Sequence, residues 1–161
     1  MRISDNYEKS KRKSIELLRC GYDIKEEKVR DRIIFLVSLL YCSMPREEIR
    51  KYVDRCFREA QRRVYVLMIG KSIHGVVVLL AFSKRKSVSL MEFVVWPQGQ
   101  GYGSLMMELL VRKLGSEGFE EILIPVVLPR NAVREFFKKF GFKEHPTGGM
   151  TLTIKKALVD R

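Results

Sequence analysis

The sequence has three cysteines and five prolines in 161 residues, and no apolar run long enough for a bilayer. Each shortage closes a class. Cys20, Cys42 and Cys56 are an odd set at spacings that suit no metal. A disulfide scaffold and a metal centre are therefore not expected, and a reducing intracellular setting, cytoplasmic or nuclear, is. The longest apolar runs, 76–82 and 33–42, fall short of the roughly 20 residues that a spanning helix needs. The N-terminal residues show no charged-then-apolar leader pattern, so no membrane partner is expected. No internal repeat or low-complexity linker divides the chain, and residues 1–161 read as one domain, helical over 1–63 and sheet-rich over 64–161.

Acids are also in short supply: 19 against 31 Lys and Arg, a formal charge of +12. The excess is even, +6 in residues 1–63 and +6 in residues 64–161, so neither part is an appended basic tail. Such a surface attracts acidic proteins, nucleic acid or chromatin, and phosphorylated cofactors; it says nothing about fold.

What is present is a core-forming chain, 46% apolar. Residues 4–19 are sparsely apolar and end at Gly21, which predicts a short helix. The spacing of Val29, Ile33, Val37 and Leu40 predicts a helix over 25–41, and that of Ile49, Val53, Phe57 and Ala60 another over 45–60, opened by Pro45, Glu47 and Glu48. From Val64 the period becomes that of strands: 64–69, a turn at Gly70, 73–83, a basic turn at 84–86, and 87–96. In the third of these, alternation puts Val88, Leu90, Glu92, Val94 and Trp96 on one face and Ser89, Met91, Phe93 and Val95 on the other. After a glycine-rich turn come a helix with Leu105, Met106, Leu109, Leu110 and Leu114, and a strand over 119–128 containing Pro125. A helix capped by Asn131 and ended by Gly141 follows, then a strand over 150–154. The expected order is α-α-β-β-β-α-β-α-β.

The turn is Gln98-Gly99-Gln100-Gly101-Tyr102-Gly103-Ser104, between a strand and a helix start, where glycines admit a close ligand and free N–H groups favour an anion. A tight strand-to-helix turn without a ligand is the plainer reading. A dinucleotide fingerprint needs glycine where Ser104 stands, and a nucleoside-triphosphate loop needs a lysine after its second glycine; both are absent. What fits is Gln98-x-x-Gly101-x-Gly103. With the block Asn131-Ala132-Val133-Arg134-Glu135-Phe136-Phe137-Lys138-Lys139-Phe140-Gly141-Phe142, it resembles the GNAT superfamily of acyl-CoA-dependent N-acyltransferases, and the second block is nearest in wording to the histone acetyltransferase branch. The resemblance covers about 64–154.

It implies an α/β fold with a mixed, mostly antiparallel sheet, helices on both faces and a splayed central strand pair. It also implies acetyl transfer from acetyl-CoA to a primary amine, with a protein lysine or N-terminus as acceptor. Gln98, Gly99, Gln100, Gly101, Tyr102, Gly103 and Ser104 would hold the CoA pyrophosphate. Val94 and Val95 would offer backbone groups to the pantetheine arm and the oxyanion, and Asn131 with the Phe136–Phe137 face would line the far side. Amine attack needs a base, and Glu92, a carboxylate among apolar neighbours, is the candidate. In the histone branch the base falls nearer Ser89, and a structural Glu92 paired with Lys or Arg is the other reading. His74 and His145 are further candidate bases with surface or turn roles as the alternative. Where the family often has a tyrosine acid this chain has Phe137, which donates no proton. A GNAT-type domain without catalysis, binding nucleic acid or acidic protein through its basic surface, is the second functional reading.

Overall fold

The computed structural model describes residues 13–155. One seven-stranded sheet runs through it in the order β1-β2-β3-β4-β5-β7-β6. Its strands are β1 (Ile15–Arg19), β2 (Arg62–Ile69), β3 (Ser72–Phe82), β4 (Ser87–Val95), β5 (Glu121–Ile124), β6 (Lys143–Glu144) and β7 (Met150–Thr153), and its α-helices are α1 (Glu26–Leu40), α2 (Arg46–Arg58), α3 (Tyr102–Ser116) and α4 (Asn131–Lys139). Every neighbouring pair is antiparallel except β4 and β5. This is the mixed α/β architecture expected, with a helix pair on each face.

The first element is the main departure. Residues 15–19 form a strand where a helix is expected, and the rest of that expected helix, residues 4–12, lies outside the described residues. Leu17 pairs with Leu67 and Leu18 with Val66, so the segment completes the backbone ladder that β2 would otherwise leave open. The two-residue strand β6, paired with β7, also escapes its sequence pattern. The strand expected over 119–128 stops at Ile124, one residue before Pro125, which has no N–H to extend a ladder. Asn131 is the first residue of α4 and not its cap; Arg130 occupies the cap position.

Two cores sit back to back. Val64, Val66, Val76, Val78 and Val94 meet Val29, Ile33, Val37, Ile49 and Val53 of α1 and α2 on one face. Tyr65, Leu67, Val77, Leu79, Val88 and Leu90 meet Met106, Met107, Leu110, Val111 and Leu114 of α3, with Phe137 of α4, on the other. Both faces of β3 are therefore covered, which explains its unbroken valine and leucine run. A β-carbon on Gly75 would stand 2.6 Å from the Met106 sulfur, so glycine lets α3 lie directly on the strand. The α3 stripe is centred one residue later than its leucines suggest: Met107 and Val111 are buried, while Leu105 and Leu109 are only partly so.

Two features of β4 shape the site. Its pairing with β3 slips between Val78↔Glu92 and Leu79↔Leu90, leaving Met91 as the extra residue of a β-bulge. The bulge corrects the expected faces. Val88 and Leu90 point to the α3 core, whereas Glu92 and Val94 point to α1 and α2. In addition, the parallel ladder between β4 and β5 covers only Ser87↔Glu121 to Ser89↔Leu123. Beyond Ser89 the two strands part, and a wedge opens along Leu90–Val95.

Candidate active site

Backbone groups come first, because the wedge exposes them. The Trp96 N–H donates to the His74 carbonyl at 2.8 Å, and the register continues as Gly75↔Val95 and Val76↔Val94. In an antiparallel ladder alternate residues turn their polar groups to alternate sides. Val94 and Glu92 thus spend their backbone groups on β3, while Phe93 and Val95 turn theirs toward the wedge. Of the two valines expected to serve a ligand, Val95 faces the opening, with Phe93 beside it.

The wedge leads to the glycine turn. Gly99 and Gly101 have φ of 76° and 79°, a conformation L side chains rarely adopt, and the space where a β-carbon would stand is open at both. Gly101 caps α3 without any side-chain hydrogen bond, and the first helical bond runs from the Leu105 N–H to the Gly101 carbonyl at 3.1 Å. The N–H groups of Tyr102, Gly103 and Ser104 therefore have no partner within the helix, at the positive end of a 15-residue dipole. That donor set suits a pyrophosphate. Gln98, Gly99, Gln100, Gly101 and Ser104 are exposed, so a ligand reaches the turn from solvent.

His74 braces this turn. Its Nδ1 lies 3.1 Å from the Trp96 carbonyl, which can only accept, so that nitrogen carries the proton; the ring packs on Tyr102 at 4.6 Å. His145 lies elsewhere, against the Thr151 hydroxyl. Across the wedge, Phe136 approaches Gly103, whose missing β-carbon would lie 3.4 Å from its ring. Phe137 is buried, with Phe93 5.9 Å and Phe142 5.2 Å away. It serves the core, and Phe136 is the phenylalanine presented to the turn. The Asn131 side-chain oxygen accepts a hydrogen bond from the Arg134 guanidinium.

Glu92 is 8% exposed, and no described Lys or Arg forms an ion pair with it. Instead the hydroxyls of Tyr41, at the end of α1, and Tyr52, within α2, both donate to its Oε1, the latter at 2.9 Å. The two rings meet edge-on at 6.2 Å. Burial, and then the Glu92 carboxylate, push the Tyr41 phenol well above its ordinary range. For Tyr52 burial leads, with the neighbouring Cys56 and Glu92 adding to it. Both phenols are therefore protonated donors at any physiological pH. The tyrosines lie 51 and 40 residues from Glu92 in sequence, and no local pattern announces them.

The sequence profile of the Acetyltransferase (GNAT) family matches residues 34–142. No curated protein sequence matches the chain. Among solved structures, a spermidine N-acetyltransferase chimera from Vibrio cholerae and hSSAT superposes with a TM-score of 0.71 at 15% identity, covering 91% of this chain and 99% of that one. Tetrahymena GCN5 gives 0.67 at 17% identity, over 88% and 96%. The PaiA N-acetyltransferase of Thermoplasma acidophilum, solved with coenzyme A, gives 0.63 at 14%, over 87% and 99%. At such identities the likeness is one of fold.

Proposed function

We propose that this chain, which belongs to the Acetyltransferase (GNAT) family, moves an acetyl group from acetyl-CoA to a primary amine, the lysine side chain or N-terminus of a protein. The observation that carries the reading is the uncapped start of α3, three free N–H groups beside a splayed strand. The N–H groups of Tyr102, Gly103 and Ser104 would hold the pyrophosphate, with Gln98 to Gly101 giving the turn its shape. The wedge-facing backbone groups of Phe93 and Val95 would hold the pantetheine arm, and one of these N–H groups would stabilise the oxyanion. Acetyl-CoA supplies a thioester carbonyl open to attack.

Glu92 takes the proton that the amine gives up as its nitrogen bonds to the carbonyl carbon. The carbon–sulfur bond then breaks. Phe137 offers no proton, so water protonates the thiolate, a tolerable leaving group because a thiol has a pKa of about 8.5. The Phe-Phe-Lys-Lys-Phe-Gly-Phe wording favours a protein acceptor, and the +12 charge favours one that is locally acidic or held close to nucleic acid. The odd set of three cysteines favours an intracellular setting.

Two measurements test this together. Acetyl-CoA should raise the melting temperature, and free thiol should accumulate with a lysine peptide faster than with spermidine. No thermal response to acetyl-CoA would overturn the cofactor assignment. Faster turnover with spermidine would overturn the acceptor.

A further inference from the structure

We propose that Tyr41 and Tyr52 are positioning residues that fix which oxygen of Glu92 takes the proton. The proposal rests on Glu92 as the base. Its carrying observation is that both hydroxyls converge on one atom, Oε1, although one comes from the residue that ends α1 and the other from within α2. A carboxylate oxygen holding two hydrogen bonds is a poorer proton acceptor than its twin, so Oε2 is the oxygen left for the amine proton. The clamp also removes rotational freedom. With Oε1 tied to α1 and α2, the carboxylate plane is set by two rigid elements on one side and by the bulged strand on the other.

A variant that lacks one phenol loses a hydrogen bond made to a charged acceptor. The other groups packed nearby form no described ion pair or side-chain hydrogen bond with Glu92. From α2, the Cys56 thiol lies beside Tyr52, and its own burial holds it in the neutral form. From β2, the Arg62 guanidinium sits over the Tyr52 ring at 5.9 Å but is paired with Glu59. From β3, the residue opposite Glu92 is Val78, which brings no charge. The phenols are the groups that touch the carboxylate.

The test is the pH dependence of kcat/KM for Tyr52→Phe and Tyr41→Phe beside the parent, with melting temperatures measured in parallel. Loss of one hydrogen bond to a charged acceptor should move the acidic limb up by about one pH unit, leaving KM for acetyl-CoA unchanged. A 13C NMR titration of the Glu92 carboxyl should move by the same amount in the same direction. A limb and a carboxyl titration both unmoved, with only the melting temperature lowered, would overturn the proposal and leave the tyrosines as packing. Should Glu92 prove not to be the base, the limb would stay while the NMR titration moved. That outcome sinks the proposal through its premise, and is told apart from the first by the carboxyl signal. If Tyr52→Phe fails to fold, Tyr41→Phe decides by the same two readouts.

Discussion

The proposed cofactor cradle and the proposed base are built in opposite ways, although one strand supplies both. The cradle is made from backbone: a bulged strand that parts from its neighbour, a turn with two left-handed glycines, and the first N–H groups of a helix, all within residues 90–104. The proposed base is set by side chains brought from three places, Glu92 on β4, Tyr41 just after α1 and Tyr52 in α2. A contiguous site depends on local conformation, whereas a convergent one depends on how the helix pair packs. The difference predicts how each half fails.

Replacing Glu92 by Gln should have the largest effect, because it removes the proton acceptor and little else. Turnover should fall by about 10²–10⁴-fold while the acetyl-CoA Kd stays as in the parent, measured by single-turnover kinetics and calorimetry. Loss of cofactor affinity in this variant would mean that the two halves are not separable. Phe137→Ala comes next, since it empties a buried position between Phe93 of β4 and Phe142. It should destabilise the protein by about 3–5 kcal/mol in denaturant unfolding and weaken both halves together.

Gly101→Val tests the cradle alone. A β-branched residue at φ 79° is strained by about 1–3 kcal/mol, and the helix start should shift to relieve it. Acetyl-CoA affinity should drop about 10- to 100-fold by calorimetry, with the tyrosine–Glu92 clamp intact. The smallest effect belongs to a residue in neither half. The Arg19 N–H, and then the Lys113 ammonium, hold the Asp23 carboxyl below its usual range. A depressed folded-state value gives stability that is present above the unfolded value, about 3.9, and is lost as pH falls through the folded one. Asp23→Asn should therefore flatten the fall in melting temperature below about pH 4, by a few tenths of a kcal/mol for so exposed a pair, without changing turnover.

This division also explains what could be read from the sequence. Gln98-x-x-Gly101-x-Gly103 is legible because the turn is defined by its backbone, and glycines record backbone conformation directly. The amphipathic helices α1 and α2 are legible from one apolar period each, and the strands β2 to β4 from short valine- and leucine-rich runs bounded by turns. Alternation fails at Met91 because a bulge costs one unpaired residue and leaves no mark in composition; Glu92 thereby changes face relative to Leu90. The strand at Ile15–Arg19 is hidden because five residues, of which only Leu17 is buried, look like the tail of a polar helix until β2 offers a ladder. Tyr41 and Tyr52 are hidden for a deeper reason. Each reads as an ordinary helix residue, and only the packing of α1 on α2 over β4 brings them to one oxygen.

The most direct measurement is a crystal structure of the protein with coenzyme A bound. The pyrophosphate should lie within hydrogen-bonding distance of the Tyr102, Gly103 and Ser104 N–H groups, and the pantetheine arm along Phe93 and Val95 in the wedge between β4 and β5. Coenzyme A bound elsewhere, or in the wedge with its pyrophosphate away from the start of α3, would contradict it.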